Sequence, residues 1–136
     1  MDATEVALRA LRHRDRSRRE LDQRLAQVGI PADERDEALD RLVASGLISD
    51  ERFAIGRART LAERGAGNDL IRTDLRRRGV AAEAVEEAIT ELEPEDVRAA
   101  ELYERRGADA KALRYLAGKG FSREALTDIA GLHSVD

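Results

Sequence analysis

Apolar residues recur along this chain in short helical stripes, each closed by a glycine or a polar turn. Leu21, Leu25 and Val28 stand at i, i+4 and i+7, the spacing of one buried helix face, and Gly29 ends the run. Val6, Ala10 and Leu11 form a stripe before it, and Ala38, Leu39 and Leu42 form one after it. The polar residues between them fix the boundaries. A break is predicted in Arg14-Asp15-Arg16, and Ser17 with Glu20 has the S-x-x-E spacing of a capping box that opens the second helix. Ile30 and Pro31 cross to a third helix that Asp33 can cap. The stretch Gly46-Leu47-Ile48-Ser49-Asp50-Glu51-Arg52-Phe53-Ala54 then closes one amphipathic unit and opens the next. Gly46 suits a left-handed helix end, Leu47 and Ile48 the apolar contacts that follow it, and Ser49 or Asp50 the next cap.

The pattern repeats. Shifted by 50, residues 6–42 overlay 56–92 without a gap and with nine identities, among them Arg14/Arg64, Leu25/Leu75, Gly29/Gly79 and Leu42/Leu92. The second copy places Ala54, Ala58 and Leu61 on its first helix, Ile71 and Leu75 on its second, and Val85, Ala88, Ile89 and Leu92 on its third. A further shift of 41 carries Leu75, Gly79 and Val80 onto Leu116, Gly120 and Phe121 of a shorter third copy. Its stripes are Val97, Ala100 and Tyr103, then Ala112, Leu113 and Leu116, then Leu126, Ile129 and Leu132. Pro94 suits the first turn of its first helix and Ser122 the cap of its third. The expected fold is all-α: three tandem three-helix units, 1–48, 49–92 and 93–136, stacked as an elongated, curved array, because units this small bury their apolar faces only against neighbours.

Composition supports helices: the apolar residues are mostly Ala and Leu, with two Phe, two Tyr and no Trp, too few β-branched and aromatic residues for a sheet protein. Without cysteine there is no disulfide framework and no thiolate metal site. No apolar run approaches the roughly 20 residues of a membrane span, and Met1-Asp2-Ala3-Thr4-Glu5 is unlike a signal peptide. A soluble, cytoplasmic protein is expected.

The net charge of −4 argues against binding nucleic acid through bulk electrostatics alone, but the charges are blocked. Six arginines between Arg9 and Arg19 face only Asp15, and seven between Arg57 and Arg78 face three acids. Asp33 to Asp40 and Glu83 to Asp96 are acidic in turn, which places basic blocks on the first two helices of a unit and acidic blocks on the third. A basic and an acidic stripe along the array are expected. No catalytic constellation, cofactor motif or metal site is present. His13 and His133 lie at opposite ends, and Gly65-Ala66-Gly67 lacks the Gly-Lys-Ser/Thr ending of a phosphate loop and reads as a flexible turn. The candidate partner-contact or DNA-contact residues are Arg12, Arg16, Arg19, Arg57, Arg64, Arg76, Arg77 and Arg78.

The stretch Gly46 to Ala54, followed by Arg64, Gly67, Ile71, Leu75, Arg78 and Gly79, resembles the RecX family of regulators of the RecA recombinase. In the first copy, Ser17, Glu20, Leu21, Arg24, Leu25 and Gly29 are similar to that family's S-x-x-E-L-x-x-K/R-L pattern, and the likeness extends from about Ala7 to Phe121. Gln27 and Val28 depart from it, standing where a basic residue often precedes the glycine. The resemblance implies three tandem three-helix units and a non-enzymatic monomer without cofactors. Such a protein binds the RecA filament along its groove, blocks its extension or promotes its disassembly, and lowers ATP hydrolysis, strand exchange and repressor cleavage. Weak contact with single- or double-stranded DNA would accompany this. The residues alone leave two other classes open, a helix-turn-helix DNA reader and a helical interaction scaffold unrelated to recombination.

Overall fold

The computed structural model describes residues 2–133, with side chains to Gly131. Nine helices make up the described residues: α1 (Ala3–Leu11), α2 (Arg18–Gln27), α3 (Ala32–Ala44), α4 (Asp50–Glu63), α5 (Asn68–Arg77), α6 (Ala82–Thr90), α7 (Glu95–Arg105), α8 (Ala110–Gly118) and α9 (Arg123–His133). Most starts are those the polar residues dictate. Ser17 accepts from the Glu20 amide at 3.1 Å while Glu20 accepts from the Ser17 amide at 3.0 Å, the reciprocal capping box. Ser49 accepts from the Arg52 amide and Ser122 from the Ala125 amide. Two starts differ. Pro31, not Asp33, occupies the cap position of α3, and Asp33 lies inside the first turn, where its charge favours the positive end of the dipole. Pro94 likewise sits at the cap of α7, one residue before the position expected.

Each set of three helices encloses its own apolar cluster. Leu21, Leu25, Leu39 and Leu42 form the first with Ala7 and Ala10. Phe53, Ala58, Ile71, Leu75, Val85 and Ile89 belong to the second, and Ala99, Tyr103, Leu116, Phe121 and Ile129 to the third. Leu25, Leu75 and Leu116, equivalent under the repeat, are all completely buried. Three apolar residues are not where the stripes put them. Val28 is 49% exposed, whereas its equivalents Arg78 and Lys119 lie against the preceding unit. Leu47 is half exposed, because Ile48 alone makes the apolar contact after Gly46. Val97 is exposed while Ala99 and Arg98 are buried, so the third unit's first helix is rotated from its apolar pattern to turn a cation inward. Leu132 lies outside the described side chains.

The units meet end to end through their second helices, and the same contact is made twice. At the first joint the start of α2 abuts the end of α5: the Ser17 hydroxyl donates to the Arg78 carbonyl at 2.6 Å, and the Arg18 amide donates to the Asp50 carboxylate at 2.9 Å. At the second, the start of α5 abuts the end of α8: the Gly67 and Asp69 amides donate to the Lys119 and Gly120 carbonyls at 2.8 and 3.0 Å, and the Asn68 amide donates to Glu95. A positive helix start thus faces a negative helix end each time, and the carboxylate opening the next unit's first helix, Asp50 or Glu95, satisfies one of the orphan amides. The chain exposes 8389 Å², more than the roughly 7,100 Å² expected for a compact monomer of its 15.1 kDa mass, as a serial array does.

This contact overturns the reading of Gly65-Ala66-Gly67 as a flexible turn. Ala66 is buried, and a Cβ on Gly67 would lie 2.3 Å from the Phe121 nitrogen, so the turn is a tight backbone-to-backbone seat. Gly29, Gly46 and Gly79 hold the left-handed helix ends expected, with φ of 86°, 80° and 88°. At Gly79 a Cβ would also lie 2.6 Å from the Arg19 Cβ, whereas at Gly29 it would meet nothing within 4 Å. Gly29→Ala is therefore expected to cost only the left-handed strain, about 1 kcal/mol, and Gly79→Ala clearly more. Equal losses in urea denaturation would show that the Arg19 contact contributes nothing.

Candidate functional site

The joints decide which arginines are already engaged within the chain and which remain available to a partner lying along the array. At the first joint Arg78 is held from two sides: Nη1 is 2.6 Å from Glu20 and Nε is 2.9 Å from Asp74. Asp74 also accepts from Arg57 Nε and Nη2, at 3.0 and 3.1 Å. Burial alone would push the Asp74 carboxyl up, but the hydrogen bonds and charges of Arg57 and Arg78 outweigh it and hold the carboxyl below its ordinary range. The paired state is therefore complete at neutral pH, and its contribution to stability is lost on acidification through that lowered pKa. Arg14 lies 3.9 Å from Glu20, at the other end of the same chain of charges.

Of the sequence-predicted contact residues, Arg57 and Arg78 are thus tied to Asp74, and Arg16 donates to the Ala10 carbonyl at 3.1 Å. Burial, then the nearby charges of Arg14 and Arg24, holds the Arg16 pKa below its usual value. Arg19 crosses the α5 end at Gly79, which brings it beside Arg78 although some sixty positions separate them. Arg12, Arg64, Arg76 and Arg77 are exposed. Arg57 and Arg64 share a cleft on α4 with Arg14 and Arg52, while Arg77 lines a different hollow between α5 and α8.

The two stripes of opposite charge are not separate. Arg18 reaches Asp40 on α3 at 2.7 Å, Arg35 on α3 reaches Asp22 on α2 at 2.8 Å, and Arg72 on α5 binds Glu86 on α6 through two nitrogens. The third helices nonetheless keep strongly acidic outer faces: Asp36 and Asp40 are 70% and 69% exposed. A helix with that face is repelled by phosphates, which disfavours α3 as an element entering a major groove. Among the described residues no group of His, Cys, Asp and Glu is arranged to hold a metal ion, and no helix is long and apolar enough to cross a membrane.

Sequence reasoning missed four participants. Arg14, Glu20 and Asp74 were legible only as a repeat identity, a capping residue and a scattered acid. Arg98 is the fourth, nine-tenths buried. Its guanidinium donates to the Glu93 and Ala66 carbonyls at 2.9 and 3.0 Å and to the Asn68 side chain, and burial holds its pKa below the usual arginine value. It is the clasp of the second joint. The one available signal was its position 45 residues after Phe53, the offset that also separates Asp50 from Glu95.

Two family profiles match the chain, one described as "RecX, first three-helix domain" over residues 3–42 and one as "RecX, second three-helix domain" over residues 49–89. A regulatory protein RecX of Acidithiobacillus ferrooxidans is 34% identical over 134 residues, covering 96% of this chain and 89% of that protein. One of Chromohalobacter salexigens is 39% identical over 127 residues, covering 87% and 84%. The fold is that of a solved RecX from Lactobacillus salivarius, with a TM-score of 0.83 at 22% identity over 98% of this chain and 96% of that one. With both profiles and these full-length relatives in agreement with the repeated three-helix architecture, the chain belongs to the RecX family of regulatory proteins.

Proposed function

We propose that this protein binds the RecA nucleoprotein filament as a monomer in the cytoplasm and inhibits its extension. Its ATP hydrolysis, strand exchange and co-protease activity fall with it, and recombinational repair and the SOS response are modulated without catalysis by the regulator itself. The observation that carries this reading is the twice-repeated end-to-end joint of α2, α5 and α8. A protein built in series this way presents neighbouring units in one constant register, as a helical groove requires. In this reading Arg12, Arg19, Arg64, Arg76 and Arg77 meet the filament, while Arg16, Arg57 and Arg78, held internally, keep the contact surface in shape.

The test is RecA's ATP hydrolysis on single-stranded DNA with substoichiometric amounts of the full chain. Inhibition is expected well below equimolar ratios, and Arg76→Ala with Arg77→Ala should weaken it at least several-fold. Arg78 is left in place because its bond to Glu20 spans the joint. Hydrolysis unchanged at every ratio would remove the recombinase from the reading.

A further inference from the structure

The two joints bring equivalent positions together but hold them by different chemistry. Under the repeat Ser17 corresponds to Gly67, Glu20 to Leu70 and Gly79 to Gly120. At the second joint the contact is backbone and apolar. Phe121 rests on Gly67, and a Cβ on Gly120 would lie 2.6 Å from the Leu70 nitrogen. Leu70 packs against the apolar cluster of the second unit and Phe121 belongs to that of the third. The Gly67 and Asp69 amides and the buried Arg98 guanidinium then bond across to, or from, the third unit.

At the first joint the Leu70 position is a carboxylate. Glu20 Oε2 lies 2.6 Å from Arg78 Nη1, and Asp15 Oδ2 lies 3.0 Å from Arg52 Nε. Both pairs cross from one unit to the other. The Ser17 hydroxyl and the Arg18 amide donate across the joint as well, and the side chain that covers Gly79 is Arg19. Among the described residues no backbone-to-backbone hydrogen bond crosses it. Parting these surfaces therefore uncovers mainly groups that water can satisfy, with little loss of apolar burial.

The link beside this joint is built to bend. It runs over residues 45–49, with Gly46 in the left-handed region at φ 80°, no atom within 4 Å of where its Cβ would lie, and Leu47 half exposed. Arg52 donates to the Gly46 and Leu47 carbonyls at 3.2 Å, so the guanidinium that binds Asp15 also clasps the link. The link at the second joint is stiffer, because Pro94 fixes a φ there and the Glu93 carbonyl accepts from buried Arg98.

We infer that the array bends at the first joint alone: the first unit turns on a hinge at residues 45–49, latched by the pairs Glu20 to Arg78 and Asp15 to Arg52, while the second and third units move as one body. The register common to the units is that of the latched state, and opening lets the first unit leave it. The hinge goes beyond the regulator reading and is measured on the free chain, so either can fail without the other.

The chain has no cysteine, so introduced cysteines carry spin labels only where they are placed. Glu34→Cys with Glu83→Cys reports on the first joint and Glu83→Cys with Lys111→Cys on the second, all at exposed helix positions. Pulsed dipolar spectroscopy reads each distance distribution as salt rises to about 1 M, where the screening length falls to about 3 Å. The first distribution should broaden and shift, and the second should stay as it is. Glu20→Gln keeps the capping box but removes one latching charge, and Asp15→Asn removes the other. Each should lower the closed-to-open ratio of the first joint about fivefold already at low salt, the weight of one such pair. A first-joint distribution unchanged by salt and by both substitutions overturns the hinge. So does equal broadening at the two joints, which would mark a general loosening of the array.

Discussion

Leu75→Ala is expected to lower the stability of the whole chain by about 2 to 5 kcal/mol, the cost of an unfilled cavity at a site that cannot collapse. Leu75 is completely buried in a cluster with Ile71, Val85 and Ile89. An ordinary domain has only about 5 to 15 kcal/mol in all, so such a loss removes a large part of it. The position also matters through the array. Leu75 lies on α5, whose start carries the second joint and whose end carries the first, so a loosened α5 releases both neighbours. Urea denaturation of the variant beside Leu25→Ala and Leu116→Ala reads the effect, with the central substitution expected to be the most damaging. A loss below about 0.5 kcal/mol, the range of surface substitutions, would mean that the repeat register does not mark the buried sites.

Gly67→Val should uncouple the third unit from the second. A Cβ at residue 67 would lie 2.3 Å from the Phe121 nitrogen and 2.4 Å from the Gly120 carbonyl carbon, both backbone atoms that no rotamer change can move aside. Relief requires withdrawing α5 from α8, which breaks the hydrogen bonds from Gly67 to Lys119 and from Asp69 to Gly120. The cost is about 3 kcal/mol, the upper part of the usual overpacking range. Arg98→Met attacks the same joint by the opposite route: it keeps the volume but leaves the Ala66 carbonyl and the Asn68 side chain without their donor, for about 1 to 3 kcal/mol. Both variants should split one unfolding transition into two, with the third unit melting first. A single transition at an unchanged midpoint in Gly67→Val would show that the joint does not couple the units.

The candidate site was partly legible. Crowding of arginines before α2 and at the end of α5 was visible as charge runs, and the equivalence of Arg14 and Arg64 as a repeat identity. What a run cannot show is which members are already spoken for. Arg57 and Arg78 share Asp74 within the second unit and Arg16 donates to a carbonyl of α1 within the first, whereas the bond from Arg78 to Glu20 crosses the joint between the two. Arg12, Arg64, Arg76 and Arg77 remain at the surface.

By itself the sequence determined what depends on near neighbours. Helical spacing set the buried faces of Leu21 and Leu25, the hydroxyl of Ser17 set the start of α2, and the lack of a Cβ set the left-handed ends at Gly29 and Gly79, since these are interactions within a few residues. The tertiary structure alone decided what depends on which unit lies next to which. Val28 is exposed, whereas its equivalent Arg78 is engaged by Glu20 of the preceding unit. Gly67 is a seat and not a hinge because the end of α8 rests on it. Arg98 is buried against its own chemistry because the carbonyls at the second joint, brought together only by stacking, satisfy its donors and offset the loss of water.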